Sequence, residues 1–141
     1  MSMDSQLLSA FTDTILRRFP ESQALYLFGS AATGQTREGS DLDVAVLLPP
    51  ARASQADLEL YRQLRPELEE IRRRPVDLIN LRRVSVVFKK EIITTGVRFY
   101  TGDADATDEF EMLSISYYQK LNDERREILQ EVFRTKKSYV L

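Results

Sequence analysis

Asp41 and Asp43 stand two residues apart at the opening of an apolar run that continues to Leu48. Side chains of an extended strand alternate with period two, so both carboxylates point to one face while Leu42 and Val44 point to the other. Like charges at that spacing push a proton back onto one partner, and strands disfavour Asp. A hard cation is the natural compensation, and Mg²⁺, held by carboxylates together with substrate phosphates, suits the pair best. Ten residues before Asp41, Gly29-Ser30 closes another apolar run, Leu25 to Phe28, at a strand-to-helix step where backbone N–H groups can receive an anion. Gly29 permits close backbone approach, and the Ser30 hydroxyl and neighbouring amides can hold a phosphate. Asp77 alternates with Val76 and Leu78 and reaches the same face if its strand lies beside the other; an Asp between such neighbours is expensive unless it has a task. Gly-Ser and Asp-x-Asp are each common in ordinary turns, so the combination carries the inference to a metal and phosphate site.

The elements that must position these residues follow from periodicity. Ser5 to Phe19 has helical apolar spacing and stops at Pro20; Ala24 to Phe28 is a strand, followed by a short helical turn to about Thr33. The loop from Gly34 to Ser40 contains Arg37, whose guanidinium is either a phosphate ligand or a solvated loop charge. Pro49 and Pro50 end the second strand, Ser54 is placed to cap a helix from Gln55 to about Arg73, and Pro66 should kink or break that helix. Arg72, Arg73 and Arg74 suit a helix C-terminus, with a role toward nucleotide or partner secondary to that. The strand Val76 to Leu81 comes next, then a helix over Ser85 to Thr95 with Val86, Val87, Ile92 and Ile93 inward and Gly96 at its C-cap. Val97 to Tyr100 reads as an edge strand. A long helix over about 107–134 follows, with Phe110, Leu113, Tyr117, Leu121, Ile128 and Val132 as its main stripe. Such a helix exceeds what a core of this size covers, so its distal half is available to another protein or a second copy.

Composition narrows the function. The 141 residues suit one domain, a core over about 5–102 plus the C-terminal helix. A net charge of −2 gives no global attraction to nucleic acid, so no direct nucleic-acid contact is expected. The sequence holds neither Cys nor His, which excludes disulfides and thiolate metal sites and leaves proton transfer to carboxylates or water. No apolar run approaches the ~20 residues that span a bilayer, and no basic and apolar leader is evident, so a cytoplasmic location is expected.

Gly29-Ser30, the ten-residue gap, Asp41-x-Asp43 and the later Asp77 resemble the signature of the DNA-polymerase-beta-type nucleotidyltransferases. The short chain, RRVSVVFKKEIITTGVRFYTG and SYYQKLNDERREIL narrow the resemblance to minimal nucleotidyltransferases, the MntA-like antitoxins paired with HEPN toxins. The resemblance implies an α+β fold, a small mixed and mainly antiparallel sheet flanked by helices. It implies transfer of AMP from ATP to a tyrosine hydroxyl of a HEPN ribonuclease partner, in a possible hetero-oligomer, and so neutralisation of that toxin. Two Mg²⁺ ions would be held by Asp41, Asp43 and Asp77, with Gly29, Ser30 and Arg37 on the phosphates and Asp77 also the best candidate base. Two rival readings are a small-molecule nucleotidyltransferase resembling the aminoglycoside-modifying enzymes and an antitoxin that acts by binding alone.

Overall fold

The structure, a computed structural model, describes residues 5–32 and 41–139. Its centre is the strand β1, Ala24–Phe28, whose five residues are all buried, as a run of Ala, Leu, Tyr, Leu and Phe demands. β2, Leu42–Leu47, and β4, Val97–Thr101, pair antiparallel with β1 on either side. β3, Val76–Asn80, lies parallel to β2, which gives the order β3-β2-β1-β4. The sheet is therefore mixed and mainly antiparallel, as expected.

Each face of the sheet carries its own core. Leu25 and Leu27 point into one, with Val44 and Val46 of β2 and Phe11 and Ile15 of α1, Ser5–Arg18. Ala24, Tyr26 and Phe28 point into the other, where Ala45 and Leu47 join them. That second face is covered by Ile92 of α5, Val86–Thr95, and by Phe110 of α6, Ala104–Tyr139. α5 begins at the expected cap, where Ser85 Oγ accepts from the Phe88 N–H at 3.1 Å. Its inward face differs from the expected one: Val87 is exposed, and Phe88 packs inward beside Ile92 and Ile93. α6 starts earlier and ends later than periodicity suggests. Asp103 Oδ1 accepts from the Ala106 N–H, and the Thr107 hydroxyl and the Asp103 N–H both donate to the Gln23 carbonyl, which fixes the helix to the root of β1.

The parallel β2–β3 pair cannot be closed by a hairpin and needs a long crossover. The segment is α2, Pro50–Ala53, α3, Asp57–Glu59, a π-helical turn over Leu60–Leu64, and α4, Arg65–Arg72, so the helix expected over 55–73 is interrupted, as Pro66 implied, but begins with a separate short helix upstream. Pro66 sits in the first turn of α4, where its missing N–H is harmless, and the irregular winding falls just before it. Ser54 does not cap α3; it ends α2, and its hydroxyl donates to the Ala51 carbonyl at 2.8 Å.

Gly96 is the C-cap of α5, with extended rather than left-handed backbone. It must be glycine because a Cβ there would stand 2.4 Å from the Ile92 carbonyl oxygen and 2.8 Å from that of Leu27. Both obstacles are backbone and cannot step aside. Gly96→Ala should destabilise the fold by about 1–3 kcal/mol, the range for overpacking a filled site, read as a lower midpoint in urea. An unchanged midpoint would show that the β1–α5 approach has slack.

Candidate active site

β1 and β2 are antiparallel, so the end of one meets the start of the other, and Phe28 pairs with Asp43. Parallel pairing then sets Asp43 directly beside Asp77 in β3. Register partners on neighbouring strands point to the same side of a sheet, so these two carboxyls face one another. The structure thus brings together the two strand-borne acids of the sequence reading. Asp43 is half-buried, whereas Asp41, in the residue before β2, and Asp77 are exposed. The exposure of Asp77 removes the desolvation cost that its apolar neighbours implied.

Burial raises the Asp43 carboxyl, the negative charge and hydrogen bond of Asp77 raise it further, and Asp41 adds to the effect, so it titrates at about 6. Gly29 lies against it in the left-handed region, at φ 69°. A Cβ on Gly29 would sit 2.3 Å from Asp43 Oδ2, so this residue is glycine for conformation and for space. The short helical turn expected here is a single 3-10 turn over Gly29–Ala31, with the Ala32 N–H donating to the Gly29 carbonyl. Ser30 is the second residue of that turn and partly buried. Phe28 meets Phe88 of α5 edge to face, with centroids 5.6 Å apart, an aromatic shelf beneath Asp43. Arg37 lies outside the described residues.

Arg72 is a member of the site that sequence reasoning left at the helix end. Its NH1 donates to the Pro75 carbonyl at 2.9 Å, the same oxygen that receives the Leu42 N–H. Burial and the neighbouring Arg74 lower its affinity for the proton, while Asp41 and Asp43 oppose them. The turn that brings it there hinges on Arg73, left-handed at φ 64° after α4. Three arginines before a Pro suggest first a helix terminus, with a role toward nucleotide or partner second; a left-handed residue that folds the chain back onto β2 is not written in their types.

Among the described residues no group of three or more acids gathers tightly enough to hold a metal ion by itself. Two facing carboxyls with Asp41 nearby nonetheless match the donors of Mg²⁺, which keeps several waters and takes one or two carboxylates plus substrate phosphates. The elevated Asp43 carboxyl supports that match, because a cation would remove the repulsion that raises it. A glycine turn beside paired carboxylates, at one end of a small mixed sheet, is an arrangement suited to nucleotidyl transfer.

The comparisons agree with that class. The family model described as polymerase beta, nucleotidyltransferase matches residues 12–105, and the chain belongs to this family. It is 32% identical over 129 residues to protein adenylyltransferase MntA of Shewanella oneidensis, an alignment spanning 92% of this chain and 86% of that protein. Among solved structures, a toxin–antitoxin complex with AMP-PNP superposes with TM-score 0.69 at 27% identity, covering 93% of this chain and 99% of that one. A tri-AMPylated Shewanella oneidensis HEPN toxin in complex with its MNT antitoxin gives TM-score 0.66 at 27% identity, with the same coverage.

The site's electrostatics set a stability test. The folded protein keeps the Asp43 proton up to about pH 6, whereas the unfolded chain loses it near its ordinary 3.8. Over that window the folded state binds more protons, so stability falls as pH rises. In chelator, Asp43→Asn should melt at the same temperature as the parent near pH 4 and higher at pH 7. The gain should be on the order of 1 kcal/mol, discounted for solvent screening. A difference that does not grow with pH between 4 and 7 would refute the crowding of these carboxyls.

Proposed function

We propose that this chain is an antitoxin that transfers AMP from ATP to a tyrosine hydroxyl of a HEPN ribonuclease toxin and thereby neutralises it. The carrying observation is the in-register Asp43–Asp77 pair against Gly29 in a chain that shares 32% of its residues with an adenylyltransferase along nearly its full length. In the reaction the hydroxyl oxygen attacks the α-phosphorus of ATP, the bond to the β-phosphate oxygen breaks, and pyrophosphate departs with that electron pair. Asp41, Asp43 and Asp77 would hold Mg²⁺, which when bound neutralises charge on the triphosphate and the leaving group. The residues themselves do the rest. Gly29 and Ser30 place backbone and hydroxyl donors along the phosphates, Arg72 sets a fixed cation beside them, and Asp77, exposed at the mouth, is the group that takes the hydroxyl proton. With no His in the sequence, a carboxylate is the natural base.

The distal half of α6 is the docking element in this reading. Over 122–136 every residue of the helix is exposed, and Ile128 and Leu129 are 62% and 67% accessible, so a stripe of helical period faces no part of its own domain. One solved relative is an MNT antitoxin in complex with a HEPN toxin, which supplies the occupant.

Incubated with the HEPN toxin and ATP labelled at the α-phosphate, the chain should transfer label to the toxin. The pair Asp41→Asn, Asp43→Asn should lower that transfer at least ~100-fold while the complex still forms. Wild-type chain that binds the toxin and transfers nothing would overturn catalysis in favour of neutralisation by contact. Leu129→Ala with Val132→Ala should weaken toxin affinity about thirtyfold or more without moving the melting temperature. A fall in melting temperature at full affinity would return this stripe to the domain's own core.

A further inference from the structure

The sheet has a second charged end. Gln23 precedes β1, Leu48 follows β2 and Arg82 follows β3, and the pairs Ala24–Leu47 and Val46–Asn80 set all three opposite the carboxylates. A cavity of about 560 Å³ opens there, lined among others by Arg82, Lys89, Glu109, Phe110, Leu113 and Tyr117. The Arg82 guanidinium is fixed, donating through Nε to the Leu48 carbonyl and through NH2 to Gln23 Oε1 at 2.8 Å. It lies 5.0 Å from the centroid of the Phe110 ring, and Lys89 Nζ lies 5.9 Å from the same centroid.

Three other half-buried arginines have carboxylate partners: Arg18 pairs with Glu67, Arg52 with Glu21 and Glu59, Arg98 with Asp108. Arg83, on the rim of the cavity, pairs with Asp57 at 3.1 Å. Among the described residues no acid pairs with Arg82 or Lys89. Glu109 acts on Arg82 only at a distance, and Lys89 is lowered from its ordinary range by burial and by Arg82. Two cations crowded round one ring are under-compensated, since the face of a single aromatic offsets only a fraction of their desolvation. Such a position suits an anion.

The wall of the cavity decides which anion. Phe110, Leu113 and Tyr117 line it from α6, and Leu113 and Tyr117 remain 43% and 61% accessible, at the start of the stripe that runs on through Leu121 to Ile128. A small inorganic anion would satisfy the cations and leave this apolar wall wet. A polypeptide carboxylate with apolar neighbours satisfies both. We infer that the cavity is an anchor pocket for an acidic segment of the protein partner, which seats an Asp or Glu side chain beside Lys89 and Arg82 and lays its apolar neighbours on Leu113 and Tyr117. The inference rests on the antitoxin reading and adds to it the chemistry of the bound segment.

The test measures affinity of the full chain for the HEPN toxin with Lys89→Glu and Lys89→Met at two salt concentrations. AMP-PNP binding and melting temperature serve as controls, because Lys89 is remote from the nucleotide centre. Lys89→Glu should weaken toxin binding about tenfold or more and Lys89→Met by less, with the loss shrinking as salt rises and both controls unmoved. If Lys89→Glu melts early, Lys89→Met, which keeps its stem on Phe110, decides: weaker binding at an unchanged melting temperature supports the anchor, and parental affinity overturns it. Parental affinity in both variants overturns it as well and leaves adenylyl transfer standing. The anchor also falls if Lys89→Glu loses inorganic pyrophosphate binding and keeps the toxin, which would assign the cavity to a small anion. A wild-type chain that neither binds nor labels the toxin defeats the antitoxin reading itself, and the anchor with it.

Discussion

Two like charges held side by side by backbone register are the constraint to which this fold answers. Asp43 and Asp77 face each other because β2 and β3 pair in that register, and the parallel direction of the pair obliges the chain to leave the sheet and return. The crossover that results is the segment of α2, α3, the π turn and α4, and its buried Leu60, Leu64 and Leu68 fill the core on the α1 face. Repulsion between the acids is contained in three ways. Asp77 and Asp41 stay in water, Arg72 is drawn to the mouth by the Pro75 carbonyl, and only Asp43 is pressed among protein atoms. Gly29 closes the arrangement from the β1 side, where any side chain would displace the Asp43 carboxyl.

A net charge of −2 hides a strong separation of sign along the sheet. Carboxylates gather where β1 ends and β2 begins; Arg82, Arg83 and Lys89 gather where β1 begins and β2 ends. Strands of five or six residues set these ends about 15–20 Å apart, beyond a Debye length of about 8 Å at physiological salt. At that separation the charges of one end are largely screened from those of the other. A substitution at the basic end reports on contact there without disturbing the field at the acids.

What can be read from the sequence alone is local. Gly29, Asp41, Asp43 and Asp77 are legible because strand alternation fixes where each side chain points, and β1 is delimited because its five apolar residues are bounded by Gln23 and Gly29. The features that escape depend on distant residues. Arg72 looks like any helix-end cation until Arg73 turns left-handed. The basic cavity needs Gln23, Leu48, Arg82, Lys89 and Phe110 together, and Arg82 finds Gln23 across 59 positions of sequence. The divided crossover escapes for a subtler reason: Pro66 correctly signals interrupted helical bonding, but a proline is equally content in a first turn, and the interruption lies upstream at Leu60–Leu64. Gly96 holds its expected place for a different cause, since a close backbone approach, unlike a C-cap, leaves no trace in the flanking residues.

The geometry of α6 links these parts. At 1.5 Å per residue its 36 residues extend about 54 Å, far more than the sheet beneath it offers. Only its first turns are held, by Thr107 on the Gln23 carbonyl and by the Tyr26 hydroxyl donating to Glu111 at 2.6 Å, with Arg98 beside that carboxylate. The distal half has intrahelical pairs such as Asp123–Arg126 and Glu131–Arg134, contacts worth only a few tenths of a kcal/mol each. Such pairs do not account for an apolar stripe left in water over several turns. The anchorage points outward to a partner: Tyr26 stands on β1 two residues before Phe28, the register partner of Asp43 on β2, so the root of the helix and the paired carboxylates are set by neighbouring strands of one sheet. In the proposed reading a partner gripping α6 would be held at a fixed relation to these carboxylates, and such positioning is a large share of what adenylyl transfer requires.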